Sequence, residues 1–148
     1  MFNLPLKRLS IALLISATIG LSAPMVQANE ATSEGPVHQL RIYQIFENNK
    51  QAFHDRFRDH ADRIMKEYGF NIVAMWEAKT AEKTEFVYLL KWPSEAAMKE
   101  AWAGFMANQE WKDIKKRTGA VHGKFVGGIE DRTLRMTDYS PDDLRLDN

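Results

Sequence analysis

Hydrophobic positions alternate with a period of two in four segments of the chain, and this alternation predicts four β-strands. The segments are Val37–Phe46, Phe70–Lys79, Thr84–Trp92 and Ala120–Thr137. In the second segment one face would carry Phe70, Ile72, Ala74 and Trp76, and the other face Val73 and Met75. The last segment contains three glycines, which in a strand often mark a bulge or a close approach of two backbones.

Segments with the periodicity of an α-helix lie between these strands. Apolar residues at helical spacing predict a long first helix. It begins near Asn48 and Asn49, which are candidate N-cap residues, and ends at Gly69. The stripe consists of Phe53, Phe57, His60, Ala61, Ile64 and Tyr68. Pro93 and Ser94 predict the start of a second helix that extends to about Met106. Asn108 predicts the cap of a short third helix, ended at about Arg117 by Thr118 and Gly119.

The resulting order, β-α-β-β-α-(α)-β, is that of an α+β, ferredoxin-like domain with an antiparallel sheet over about residues 37–137. In such a domain both main helices cover one face of the sheet, so the other face should be polar if it meets water. Here Val73, Met75, Val87 and Leu89 would make that face apolar. We therefore predict a homodimer in which the two sheets pack face to face.

The N-terminal 28 residues have the pattern of a signal peptide. Lys7 and Arg8 precede the uncharged apolar run Leu9–Leu21, and Val26-Gln27-Ala28 matches the small-x-small cleavage site. We predict cleavage after Ala28, a periplasmic or secreted protein and no stable membrane anchor afterwards; an uncleaved N-terminal anchor is the alternative. Residues 29–36 would then form a linker, and residues 138–148 a mobile acidic tail.

Charge and composition exclude several functions. Without Lys7 and Arg8, 18 basic and 20 acidic residues remain, so the chain has no electrostatic reason to bind nucleic acid or anionic lipid. The chain has no cysteine, and His54 and His60 do not have the i,i+4 spacing of a helical metal pair. We therefore expect no metal site.

Candidate chemistry centres on one histidine and a group of aromatic residues. His60 is placed on the buried stripe, where an imidazole is suited to be a catalytic general base or a haem ligand. The alternative is a histidine at the core edge that bonds a backbone carbonyl or Tyr43. A ligand pocket would be lined by Arg41, Tyr43, Trp76, Tyr88 and Trp102. These aromatic residues are equally consistent with an aromatic core.

An ordered series of short segments resembles the NIPSNAP family over about residues 37–135. The segments are Gln39-Leu40-Arg41-Ile42-Tyr43, Phe57-x-x-His60, Tyr68-Gly69-Phe70-x-x-Val73-x-x-Trp76, Leu89-Leu90-Lys91-Trp92, Ser94-x-x-Ala97-x-x-x-Ala101 and Asn108-Gln109-Glu110-Trp111. The last of them departs from the Asp-Pro-Glu-Trp turn that is frequent in the family. The resemblance implies the dimeric α+β barrel fold, and it places a histidine at position 60.

The resemblance implies function poorly, because the wider barrel superfamily includes cofactor-free oxygenases and haem-degrading enzymes. Our leading hypothesis is an exported homodimer that binds a small hydrophobic ligand between sheet and helices. The first alternative is an oxygenase, cofactor-free or haem-dependent, that uses His60. The second is a structural or interaction protein without a pocket.

Overall fold

The structure is a computed structural model that describes residues 35–141. The predicted signal peptide, residues 29–34 of the predicted linker and residues 142–148 of the predicted tail lie outside the described residues. Within the described part, the chain at the start of the predicted tail makes a turn in which the Ser140 amide donates to the Thr137 carbonyl at 3.2 Å.

Four strands form one antiparallel sheet: β1 (Val37–Ile45), β2 (Asn71–Lys79), β3 (Thr84–Trp92) and β4 (Val126–Leu134). Their order across the sheet is β2-β3-β1-β4. The parallel strands β1 and β2 are separated by β3, as the split βαβ arrangement requires. The predicted α+β, ferredoxin-like fold is therefore confirmed.

The helices lie between the strands in chain order. A short 3₁₀ turn (Glu47–Asn49) leads into helix α1, which is α-helical over Lys50–Arg56, π-helical over Phe57–Ala61 and α-helical again over Asp62–Glu67. Helix α2 spans Glu95–Ala107, and helix α3 spans Gln109–His122. No helix among residues 35–141 is both long and apolar enough to cross a membrane.

Three of the predicted helix ends have the expected chemistry. The Ser94 hydroxyl accepts a hydrogen bond from the Ala97 amide at 3.1 Å, and the Asn108 side chain accepts one from the Trp111 amide at 2.8 Å. Gly69 ends α1 with a φ of 80°. Asn49 occupies the N-cap position of α1 as predicted, but its side chain makes no capping bond and donates instead to the carbonyls of His122 and Lys124.

Helix α3 is longer than predicted. It continues through Thr118 and Gly119 to His122 and ends where Gly123 adopts a φ of 77°. A single glycine costs a helix only about 1 kcal/mol, and contacts with the first helix hold the added turn. Arg56 donates to the Thr118 hydroxyl, and Asn49 donates to the His122 carbonyl. The fourth strand therefore begins at Val126 rather than Ala120.

The glycines at the start of β4 accompany a bulge, as predicted. The register between β1 and β4 shifts between Tyr43 and Ile45. A Cβ atom at Gly127 would lie 2.8 Å from the Gln44 Oε1 and 3.2 Å from the Phe46 ring. The close approach leaves no room for a side chain at this position unless its neighbours move.

The core lies between the sheet and the helices. Strand β3 alternates strictly, and its buried residues Phe86, Tyr88, Leu90 and Trp92 face the helices. Phe70 packs with its ring centroid 4.8 Å from that of Trp92 and 4.8 Å from that of Trp102, in edge-to-face geometry. This aromatic layer holds helix α2 on the sheet.

A second bulge changes the predicted faces of β2. The register against β3 shifts between Ile72 and Ala74, so that Ile72 lies beside Leu90 whereas Trp76 lies beside Val87. Trp76 therefore points away from the helices and is 50% exposed, and Met75 takes the helix side. The prediction that Ile72 and Trp76 share a face is wrong, because one inserted residue reverses every later side chain of the strand.

The sheet face that points away from the helices is called the open face. Its centre is apolar and carries Leu40, Ile42, Ala74, Trp76, Val87 and Leu89, with Leu134 at one end. Polar and charged residues on the same face surround this centre: His38, Gln44, Glu85, Lys91, Glu130 and Arg132. Leu134 is 39% exposed, and the neighbouring strands contribute partly exposed aliphatic side chains. Val87 and Leu89 lie on this face as predicted, and Trp76 lies there in place of Met75.

Candidate ligand-binding cavity

An apolar cavity of about 410 Å³ lies between the β1–β4 side of the sheet and all three helices. Most of its wall is aromatic or aliphatic, and its polar points are Arg41, Tyr43, Arg56 and Lys115. The apolar lining residues are Phe53, Phe57, Ala61, Met65, Trp102, Phe105, Met106, Trp111, Val126 and Ile129. This volume and this lining are typical of a site for a small organic ligand.

The π-helical turn of α1 shapes one wall of the cavity. The Asp62 amide donates to the Phe57 carbonyl, five residues back, so the turn contains one residue more than an α-helix would. Phe57 and Ala61 at the two ends of the turn are buried and line the cavity. π-Turns of this kind occur frequently at functional sites.

A buried glutamine anchors the opposite wall. Gln39 is 1% exposed, and its Oε1 accepts hydrogen bonds from the indole Nε1 of Trp102 at 2.8 Å and of Trp92 at 3.1 Å. Its Nε2 donates to both carboxylate oxygens of Asp131, at 2.8 and 3.0 Å. Because every polar atom of this side chain is engaged, the ring of Trp102 is held in one orientation beside the cavity.

Arg41 extends this network into the cavity wall. Its guanidinium pairs with Asp131 and lies 4.5 Å from the centroid of the Trp102 ring. The same guanidinium donates to the Tyr43 hydroxyl at 3.1 Å, and that hydroxyl lies 2.7 Å from the hydroxyl of Tyr88. The Arg41 Nε is buried and has no hydrogen-bond partner among the described residues.

Burial changes the acidity of the network. Tyr88 is fully buried behind Tyr43, and desolvation raises the pKa of its hydroxyl well above the ordinary value. Burial lowers the pKa of Arg41, but the adjacent Tyr43, Tyr88 and Asp131 raise it more, so that it stays charged. The Asp131 carboxylate therefore faces a permanent cation and offsets its charge.

Two further cations, Arg56 and Lys115, line the cavity. The Arg56 guanidinium lies 4.1 Å from the centroid of the Phe125 ring and donates to the Thr118 hydroxyl at 3.2 Å. Lys115 extends from α3 toward the ring of Trp111. Burial lowers the pKa of both side chains, and the positive charge of Arg56 lowers the pKa of Lys115 further.

The structure brings together three of the five predicted pocket residues. Arg41, Tyr43 and Trp102 line the cavity, and Tyr88 lies directly behind Tyr43 with its hydroxyl in contact. Trp76 does not belong to this group, because the β2 bulge places it on the open face of the sheet. Its assignment to the pocket is wrong for that geometric reason.

His60 also lies outside the cavity. The π-turn brings Ala61 onto the buried stripe and turns His60 outward, where it is only partly buried. It lines a separate and more open polar groove together with Asp55, Asp59 and His122. The interpretation of His60 as a residue that points at the sheet is therefore wrong, and the oxygenase hypothesis loses the observation on which it rested.

The donor set of the cavity does not fit a haem held by His60. None of the histidines within residues 35–141 lines the cavity, and His60 lines the polar groove instead. Within residues 35–141, no group of three or more potential ligand side chains is arranged to hold a metal ion.

Several lining residues were missed in the sequence. Arg56 lies between the stripe residues Phe53 and Phe57, and Lys115 follows Trp111 by one helical turn. Both positions border a buried stripe, where a long cationic side chain can reach inward past it. That pattern is equally typical of solvent-exposed lysine and arginine, so it carries little predictive weight.

Comparison with known proteins agrees with the fold. A NIPSNAP-like domain protein from Burkholderia xenovorans superposes with a TM-score of 0.62 at 15% identity, covering 73% of this chain and 90% of that one. A NIPSNAP family protein from Agrobacterium tumefaciens gives a TM-score of 0.62 at 19% identity, covering 72% and 97%. A second protein of the family from the same organism gives 0.61 at 17% identity, covering 73% and 94%.

Structural likeness at such low identity establishes the fold alone. No match was found among curated protein sequences. The sequence profile of the NIPSNAP family, however, matches residues 38–141, which is nearly the whole described domain. The chain therefore belongs to the NIPSNAP family.

Proposed function

We propose that this NIPSNAP-family protein binds a small hydrophobic ligand in the cavity between its sheet and its helices. The observation that carries the proposal is a cavity of about 410 Å³ with an aromatic and aliphatic wall and a few polar points. Ligand sites in proteins have this character, with apolar surface for affinity and isolated polar groups for orientation.

The arrangement of the aromatic residues supports binding over a purely structural role. Trp102 and Trp111 border the cavity rather than fill it. The ring of Trp102 is held back by its bond to Gln39, and the ring of Trp111 is stacked on Phe105 with centroids 5.1 Å apart. A domain that used these side chains only for its core would close over the space, because protein interiors are densely packed.

Fluorescence titration with the neutral probe N-phenyl-1-naphthylamine tests the proposal. We expect saturable binding with enhanced emission. Ile129 is 53% exposed and lines the cavity, so Ile129→Trp should obstruct the cavity and weaken binding by about tenfold or more. Val121→Trp is the matched control, because Val121 is 75% exposed and does not line the cavity.

Either of two results would contradict the proposal. The wild-type protein shows no saturable probe binding, or the two tryptophan variants reduce binding equally. Thermal unfolding of both variants, followed by circular dichroism, verifies that each is folded.

We further propose that the protein is a homodimer joined through the open face. The support is the apolar character of this face, since large apolar patches on soluble monomers are rare. Trp76→Lys should dissociate the dimer in sedimentation velocity at micromolar concentration. Met75→Lys is the matched control, because Met75 is adjacent to Trp76 in the chain, is 44% exposed and lies on the other side of β2. A monomeric wild-type protein would refute this proposal.

We also propose that the protein is exported and processed after Ala28, on the basis of the N-terminal pattern alone. Cell fractionation followed by N-terminal sequencing should find a protein that begins at Asn29 outside the cytoplasm. A cytoplasmic protein with an intact N-terminus would exclude export.

A further inference from the structure

The charged side chains that line the cavity are all cations. Arg41, Arg56 and Lys115 line it, and no aspartate or glutamate does so among the described residues. Asp131 lies behind Arg41 and offsets that one charge. The cavity therefore keeps an excess of positive charge that its own wall does not balance.

Two of the three cations lie beside the same aromatic ring. The Arg56 guanidinium lies 5.5 Å and the Lys115 Nζ 5.7 Å from the centroid of the same Trp111 ring. Within the described residues, neither cation pairs with a carboxylate; the polar side chain that bonds Arg56 is the neutral Thr118. The Phe125 and Trp111 rings supply cation–π contacts, which compensate such charges only in part.

Two like charges next to an apolar space are unfavourable unless something of opposite charge joins them. Each loses part of its hydration and each repels the other. An anion placed between them would be attracted by both, and a carboxylate matches the fork of an arginine in shape. The adjoining surface of Phe57, Met65 and Phe105 would contact an apolar chain attached to that anion.

We infer that the ligand is a small amphipathic carboxylate, whose charged group is bound by Arg56 and Lys115 and whose apolar part occupies the rest of the cavity. This inference rests on the proposed function, since it names the class of ligand for the same cavity. Arg41 is already paired with Asp131, so its charge is largely offset.

Displacement of bound N-phenyl-1-naphthylamine by three molecules with the same ten-carbon tail tests the inference. These are decanoate, decan-1-ol and decyltrimethylammonium, each below its aggregation concentration and at neutral pH. We expect decanoate to bind about tenfold or more tightly than decanol, and the cation to bind most weakly.

The variants locate the charged group. Lys115→Gln and Arg56→Gln should bring the affinity for decanoate close to that for decanol and change the affinity for decanol much less. Arg56→Lys should retain much of the preference. Lys116→Gln is the matched control, because it removes the same charge from the next residue of α3 without touching the cavity. If Arg56→Gln does not fold, Lys115→Gln provides the test of the charged group instead.

The outcomes separate this inference from the function on which it rests. Equal affinity of decanoate and decanol, or equal loss in Lys116→Gln and Lys115→Gln, overturns the carboxylate and leaves the hydrophobic site standing. Absence of saturable binding of the probe and of all three competitors refutes the site itself and the inference with it.

Discussion

Replacement of Gln39 by leucine tests how the cavity wall is held. The leucine side chain occupies a similar volume but accepts no hydrogen bond, so the Nε1–H groups of Trp92 and Trp102 lose their shared acceptor. A buried donor without a partner costs about 1–3 kcal/mol. Trp92 is 1% exposed and bears this cost in full, whereas Trp102 is only partly buried and can reach water.

We therefore expect Gln39→Leu to lower the free energy of unfolding by about 2–4 kcal/mol. Urea denaturation followed by tryptophan fluorescence measures the change, which should appear as a lower midpoint with an unchanged slope. The control is Gln51→Leu, in an exposed side chain of α1 whose one bond is to Asp55, where a change within about 0.5 kcal/mol is expected.

A double-mutant cycle separates the indole contribution from other effects of the substitution. Trp102→Phe should cost about 1 kcal/mol less in the Gln39→Leu background than in the wild type, because the bond it removes is already lost. A loss below about 0.5 kcal/mol for Gln39→Leu, or strict additivity in the cycle, would show that this glutamine does not hold the wall.

Three further predictions concern other parts of the domain. Gly104→Ala should destabilise the protein by about 1–3 kcal/mol, because the added Cβ would lie 2.5 Å from the Tyr68 ring. Gly119→Ala should instead stabilise α3 by about 0.5–1 kcal/mol, because nothing lies within 4 Å of its added Cβ. Equal effects of the two substitutions in thermal unfolding would refute this prediction. Burial raises the pKa of Tyr88 in the folded protein, so its contribution to stability is complete below about pH 10 and is lost as pH rises through the pKa of the folded state. A spectroscopic titration of the tyrosines in which Tyr88→Phe removes no group that ionises at high pH would contradict this prediction. Asp131→Asn should strengthen decanoate binding by about two- to threefold, since it removes the carboxylate that offsets Arg41 and so raises the positive potential in the cavity. Unchanged or weaker binding would argue against an anionic ligand.

The fold followed from the sequence because its determinants are local. The strict alternation of β3 and the caps at Ser94 and Asn108 are visible in the pattern of residues. The end of α3 was missed because Thr118 and Gly119 have the local signature of a helix end, whereas the bonds from Asn49 and Arg56 that hold the added turn depend on the tertiary fold.

The site could be predicted only in part, because single inserted residues reversed the predicted orientations of two side chains. The β2 bulge after Ile72 reverses Trp76, and the π-turn that begins at Phe57 turns His60 away from the stripe. Neither insertion has a periodic signature, since each changes the phase of a pattern without changing its composition. Arg41 and Tyr43 precede both insertions, and the structure places them in the cavity wall.

The Gln39 network was missed for a different reason. Its partners, Trp92, Trp102 and Asp131, lie on β3, α2 and β4, and only the tertiary fold brings them to one side chain. A polar residue inside an apolar strand is a weak signal of such an anchor, because the same alternation also occurs in strands with a solvated face.

The most direct test of ligand binding in the cavity is methyl NMR of the methionine residues during titration with N-phenyl-1-naphthylamine. Met65 and Met106 line the cavity, whereas Met75 and Met98 do not, so the chain carries its own controls. The proposal predicts saturable shifts of the Met65 and Met106 methyl resonances caused by the ring currents of the probe, with the Met75 and Met98 resonances unmoved. Shifts confined to Met75 or Met98, or no shift at saturating probe, would contradict it.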